Sequence, residues 1–136
     1  MASNPVFDRI MPWLSGNALF IPLVAAGALW LCWKGGTRGR LFVVMTALIL
    51  LLGDNLLING IKSAVGRPRP FMTLPDVRLL VGRGSTGSFP SSHTSTWFAA
   101  LVLTAFYYPR AWKWVLPVTL GVSFSRIYVG VHYPSD

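Results

Sequence analysis

The last twelve residues, Ser125-Arg126-Ile127-Tyr128-Val129-Gly130-Val131-His132-Tyr133-Pro134-Ser135-Asp136, set a cation, an imidazole and a carboxylate at the end of an apolar segment. A charge at membrane depth costs roughly 2.5–3.5 kcal/mol on insertion scales, so Arg126 calls for a partner or a ligand. Pro134 suits the first turn of a new helix and pushes Tyr133 out of the helical region. That predicts His132 just before a helix start and Asp136 in its first turn. A carboxylate bonded to one ring nitrogen fixes the tautomer and leaves the other nitrogen free to attack. His132 and Asp136 therefore read as an oriented nucleophile. Taken alone, the pair fits a satisfied histidine at a polar helix end just as well.

Two further stretches carry chemistry. Gly66-Arg67-Pro68-Arg69-Pro70 is stiff and extended and projects two guanidinium groups beside Lys62. The planar fork of an arginine matches phosphate oxygens and a lysine adds a compact charge, so a phosphate is the natural ligand. A patch that meets lipid headgroups would look similar. Phe89-Pro90-Ser91-Ser92-His93-Thr94-Ser95 opens an apolar run, with Ser91 or Ser92 as its N-cap. Free amides at a helix start bind anions, and His93 in that first turn would face the anion and suit the role of general acid; a capped helix start with an exposed histidine is the commoner fate of such a pattern. Gly82-Arg83-Gly84-Ser85-Thr86-Gly87 matches G-x-G-x-x-G literally, but no βαβ context surrounds it and no acid follows about 20 residues on. It reads as a flexible loop near the site.

These residues need a scaffold, and the composition says which kind. The chain is 53% hydrophobic and 12% charged, with a mean hydropathy of +0.54. That is too apolar for a soluble domain of this length and implies one membrane-embedded unit over residues 1–136. The formal charge is +8, but the cations sit at the ends of apolar segments and form no run, which favours lipid or phosphate over nucleic acid. Cys32 is alone, so there is no disulfide framework, and no His, Cys or carboxylate cluster has metal-ligand spacing. The N-terminus lacks the basic region of a signal peptide.

Four spans are expected: 17–33, 41–61, 92–108 and 114–131, an all-α polytopic transmembrane bundle. The stretch 5–14 is either a short interfacial helix or a loop. The short turns 34–40 and 109–113 hold five cations and no acid and should be cytoplasmic, which puts the 62–91 loop and the 126–136 end together on the opposite face. The loop is itself basic, with Lys62, Arg67, Arg69, Arg78 and Arg83, so several of these cations should serve a site rather than topology. Asn55, Asn59 and Lys62 share a helical face, as do Thr119, Ser123 and Arg126, and both stripes should face the bundle.

Together the three motifs resemble the phosphatidic acid phosphatase type 2 superfamily, whose signature is Lys, six residues, Arg-Pro; then Pro-Ser-Gly-His; then Ser-Arg, five residues, His, three residues, Asp. Here these are Lys62 to Arg69-Pro70, Pro90-Ser91-Ser92-His93, and Ser125-Arg126 to His132 and Asp136. Ser92 replaces the glycine of the signature. Family members usually continue into another membrane helix after the Asp, so the resemblance implies a chain that lacks a final helix.

The resemblance implies a lipid phosphatase that needs no metal or other cofactor. Lys62, Arg69, Arg126 and the amides near Ser91 and Ser92 would hold the phosphate. His132 would attack phosphorus to form a phosphohistidine, Asp136 would orient it, and His93 would protonate the leaving oxygen. Bacterial members suggest a polyprenyl diphosphate such as undecaprenyl diphosphate, with the site on the extracytoplasmic face of an inner membrane. Phosphatidylglycerophosphate, phosphatidic acid and lipid A phosphate are alternatives. A vanadate-dependent haloperoxidase would share the motifs but is soluble, against the four apolar runs. A non-catalytic membrane protein that binds lipid phosphates through Lys62, Arg67 and Arg69 is the third possibility. The sequence says nothing of oligomeric state.

Overall fold

The computed structural model describes residues 4–16, 18 and 20–136, and of residues 54 and 55 the backbone alone. The expected role of Asn55 in a polar stripe, and Asn17 at the start of the first apolar run, lie outside what is described. Among the described residues the chain is helical with no strand: α1 (Pro5–Ser15), α2 (Phe20–Lys34), α3 (Gly36–Leu48), a π-helical segment (Ile49–Ile58), α4 (Asn59–Val65), α5 (Pro70–Thr73), α6 (Ser92–Tyr107) and α7 (Trp112–Tyr128).

The stretch left open as helix or loop is the helix α1. The side chain of Asn4 accepts hydrogen bonds from the amides of Val6 (3.0 Å) and Phe7 (3.4 Å), and Pro5 takes the first turn, where its missing N–H costs nothing. The expected basic turn over 34–40 is shorter than its composition suggests. α2 ends at Lys34 and α3 begins at Gly36, so Thr37 to Arg40 are helical. A Cβ at Gly35 would lie 2.5 Å from the Leu31 carbonyl oxygen and one at Gly39 2.7 Å from it, so only glycine permits the two helices to close this tightly.

The helices stack in the order α2, α3, α6, α7, α1, with the π-helical segment also against α6. Few apolar side chains are buried, chiefly Met11, Val122, Val129 and Val131, while Leu, Ile, Phe and Trp side chains cover the outside. The accessible surface is 8738 Å², against roughly 7,000 Å² for a compact soluble chain of this mass. The run Gly36–Thr73 is long and apolar enough to cross a membrane, with a best-window hydropathy of 2.4; α1 and α2, bent by 46° at their junction, meet that standard only as a pair. α6 and α7, at 16 and 17 residues, fall short of the same length, so the expected count of four spans is not reached on this measure.

The pairing of ends follows expectation. At one end the Arg38 guanidinium lies over the Tyr108 ring and Phe42 packs edge-on against Tyr107 and Tyr108, which joins the two short basic turns. At the other end the 66–91 loop folds over the close of α7: Phe71, Leu79, Leu80 and Val81 pack on Val129 and Val131, and the Leu80 amide donates to the Val129 carbonyl at 3.3 Å. Gly130 makes this possible. Its φ is +81°, and a Cβ there would stand 2.5 Å from the Arg78 carbonyl oxygen. The stripe on α7 faces the bundle as expected. Thr119 is buried and donates to the carbonyls of Val115 (3.0 Å) and Trp97 (3.4 Å), and Ser123 donates to Thr119 at 2.8 Å. The other stripe does not. Asn59 is exposed, because among the described helices α4 touches only the π-helical segment it continues.

Candidate active site

His132 lies where α7 has ended and the chain turns back. Its amide donates to the Arg126 carbonyl at 3.2 Å, and its side chain is 3% exposed. Tyr133 to Asp136 form a tight turn, with the Asp136 amide on the Tyr133 carbonyl at 3.1 Å. The turn brings the carboxylate back to the imidazole. Asp136 Oδ2 is 3.2 Å from His132 Nδ1 and accepts the Tyr133 amide at 2.9 Å. An ionised carboxylate only accepts, so Nδ1 carries the proton and Nε2 presents its lone pair. Burial, and then the charges of Arg126 and Arg69, push the His132 pKa down to about 4, against the opposing pull of Asp136. The imidazole is therefore neutral at pH 7, the state a nucleophile needs.

Two cations stand beside it. Arg69, 5% exposed, donates from Nε to the Thr86 carbonyl (2.9 Å), from Nη2 to Thr86 Oγ1 (3.4 Å) and from Nη1 to the Val131 carbonyl (3.2 Å). Arg126 donates from Nη1 to the Ser15 carbonyl at 3.0 Å and to the Ser15 hydroxyl, while its buried Nε has no hydrogen-bond partner among the described residues. A buried donor left unpaired costs about 1–3 kcal/mol, so such a group marks a place where an acceptor belongs.

Ser91 settles which serine caps α6. It has extended backbone angles, and its hydroxyl accepts the Thr94 amide at 3.5 Å. Its own amide donates to the Asp136 carbonyl at 3.0 Å. The bond ties the start of α6, with Ser92 and His93 in its first turn, to the His132–Asp136 turn. Lys62 is buried near the end of α4, where Gly66 (φ 60°) caps the helix and its amide reaches the Lys62 carbonyl at 2.9 Å. The loop presses close there, since a Cβ at Gly87 would meet the Lys62 carbonyl oxygen at 3.2 Å.

Of the eight residues expected at the site, His132, Asp136, Arg69, Arg126 and Ser91 thus gather through side-chain contacts, main-chain bonds or mutual electrostatic influence. Ser92 and His93 are brought alongside by the Ser91 bond, and Lys62 lies under the same loop. Sequence reasoning missed the groups that hold them: Thr86, Ser15 and the pairing of Arg67 with Asp136 at 2.8 Å. The glycine-rich loop was the one available signal. It is the seat of Arg69, and a Cβ at Gly84 would fall 2.6 Å from the Arg69 Cζ. Arg78, another of the loop cations, pairs with Asp8 of α1 at 2.7 Å, and Tyr128 donates to the same carboxylate at 2.8 Å. Among the described residues no group of three or more His, Cys, Asp or Glu is placed to hold a metal ion.

The chain is 34% identical over 135 residues to undecaprenyl-diphosphatase BcrC of Bacillus subtilis (strain 168), a match that covers 98% of this chain and 67% of that one. It is 33% identical over 101 residues to the bacitracin transport permease protein BcrC of Bacillus licheniformis, covering 74% and 49%. It is 26% identical over 144 residues to a lipid A 4'-phosphatase of Bacteroides thetaiotaomicron, covering 98% and 63%. The chain therefore spans between about half and two thirds of the length of these relatives. The fold matches that of a transmembrane PAP2-type phosphatidylglycerolphosphate phosphatase from Bacillus subtilis, with a TM-score of 0.69 at 23% identity over 98% of this chain and 69% of that one. Residues 39–136, which carry all three motifs, match the PAP2 superfamily, and the chain belongs to it.

Proposed function

We propose that this chain is the catalytic part of an integral-membrane phosphatase that hydrolyses a lipid phosphate or diphosphate, with undecaprenyl diphosphate as the preferred substrate. The names of its relatives support the substrate class. The observation that carries the reading is the neutral His132 held by Asp136 beside Arg69 and Arg126, with the buried Arg126 Nε lacking an acceptor among the described residues. In this reading His132 Nε2 attacks phosphorus in line, the bond to the leaving oxygen breaks, and His93 gives that oxygen a proton. Lys62, Arg69, Arg126 and the amides near Ser91 and Ser92 hold the equatorial oxygens, where charge collects in the transition state. Water then attacks the phosphohistidine, His93 takes its proton, and inorganic phosphate leaves. The whole chain forms one membrane-embedded unit. It crosses the membrane four times with α1 along the interface, and the site opens to the extracytoplasmic face, where a lipid presents its headgroup without leaving the bilayer.

The test is phosphate release by the purified protein from a panel of undecaprenyl diphosphate, phosphatidylglycerophosphate, phosphatidic acid and lipid A, with and without EDTA. Release that survives chelation, fastest from the polyprenyl diphosphate, is expected. No release from any lipid, or strict dependence on a divalent ion, overturns the reading.

A further inference from the structure

We propose that Arg67 is a positioning residue of this site: it holds the Asp136 carboxylate in the orientation that serves His132, and does not itself grip the phosphate. The inference rests on the phosphatase reading above. Its basis is the division of labour at Asp136, whose side chain is 1% exposed. Oδ2 accepts from His132 and from the Tyr133 amide, and Oδ1 accepts from Arg67 Nη1 at 2.8 Å. One oxygen thus faces the nucleophile and the other is anchored from outside. Without the anchor the carboxylate could rotate about its terminal torsion, which is broad and weakly held by itself.

Arg67 is built to be that anchor. The same Nη1 donates to Ser135 Oγ at 2.9 Å, and the guanidinium lies 4.3 Å over the Tyr133 ring, whose hydroxyl meets Thr73 Oγ1 at 2.7 Å. Its main chain is fixed as well, between Gly66 and Pro68, with its carbonyl accepting the Ser88 amide at 2.9 Å. The contrast with its neighbours decides the role. Arg69 and Arg126 rest on carbonyl and hydroxyl oxygens and keep a full positive charge for an anion. Arg67 is matched to a carboxylate, so its charge is already answered.

The experiment uses the whole chain in detergent, with Arg67→Ala, Arg67→Lys, Asp136→Asn and the double variant Arg67→Ala/Asp136→Asn. Lipid diphosphate turnover is measured for each, and the ring nitrogens of the two histidines are followed by NMR without substrate. Arg67→Ala should lower kcat about 10- to 100-fold, as loss of an outer hydrogen-bond partner does elsewhere, with KM little changed. Arg67→Lys should restore part of it. In the Asp136→Asn background Arg67→Ala should cost almost nothing more, since the residue acts through that carboxylate. The His132 ring should shift from Nδ1–H toward a tautomer mixture in Arg67→Ala. A raised KM with kcat intact, losses that multiply in the double variant, or an unchanged ring tautomer would each overturn the proposal. Were the wild-type chain to release no phosphate while its ring tautomer still answered to Arg67→Ala, the phosphatase reading would fall and the positioning role would stand.

Discussion

Gly84→Ala separates the support of Arg69 from general packing. The added Cβ would lie 2.6 Å from Cζ, 2.7 Å from Nη2 and 2.9 Å from Nε of Arg69. Ordinary contact begins at 3.4 Å, so the guanidinium must retreat by about 0.8 Å or the loop must open by as much. Thr86 stands two residues along the same loop, so moving away from Gly84 stretches the bonds to the Thr86 carbonyl and hydroxyl, now 2.9 and 3.4 Å. A hydrogen bond from a charged group contributes about 1.5–3 kcal/mol. If Arg69 holds the transition state as proposed, loss of its alignment lowers kcat/KM roughly 10- to 150-fold, at 1.36 kcal/mol per factor of ten. Stability should fall by no more than about 1–3 kcal/mol, the cost of the stretched bonds, because the added Cβ meets a side chain and no backbone. Gly82→Ala is the control, since nothing lies within 4 Å of its Cβ. It should stay within about twofold of wild type, as an exposed substitution does. The assay is kcat/KM for phosphate release alongside thermal unfolding. A Gly84→Ala protein as active as Gly82→Ala would show that the seat of Arg69 does not matter to turnover.

Other outcomes follow from the same geometry. His132→Ala should abolish phosphate release, and His93→Ala should slow it by roughly 10²–10⁴, the usual contribution of a general acid; a pre-steady-state trace should show no phosphoenzyme in the first variant. The free-enzyme acid limb should lie low, because His132 is held near 4 by burial and by Arg126 and Arg69 and must lose its proton to attack. Arg69→Gln removes one of those charges and should move that limb of kcat/KM to higher pH, the shift between the two proteins being the quantity to measure. Ser15→Ala takes a buried acceptor from Arg126 and should cost about 1–3 kcal/mol in stability, read from thermal unfolding, with KM for the lipid rising as Arg126 loosens.

The helices were legible because unbroken apolar runs leave few alternatives: 92–108 was expected and Ser92–Tyr107 is found. The boundary at 34–40 was not, because a Gly- and cation-rich composition reads as a turn, whereas here Gly35 and Gly39 let two helices meet with hardly a break. The π-helical segment Ile49–Ile58 gave no warning either. Its only polar residues, Asp54 and Asn55, are adjacent, and two neighbouring residues cannot tell one helical period from another. The contact of His132 with Asp136 was legible from their spacing of four residues, which a single turn of chain is enough to close.

The site divides along a similar line. Residues proposed to grip or attack the phosphate are cations and histidines, with a carboxylate behind His132, and their types and spacings announce them. Residues that hold the cations are a serine in α1, a threonine in a glycine-rich loop and main-chain carbonyls, which occur everywhere and signal nothing. Physics requires them to be so plain. A carboxylate beside Arg69 or Arg126 would hold either one firmly but would cancel the charge that an incoming phosphate needs. A carbonyl or hydroxyl dipole holds the guanidinium in place and leaves its net charge intact. Anchors of that kind, joined to their arginines across separations of 17, 62 and 111 residues, leave no local pattern for sequence reasoning to find. It follows that a new carboxylate near this cluster, as in Thr86→Glu, should damage turnover more than the neutral Thr86→Val, although it offers Arg69 the stronger partner.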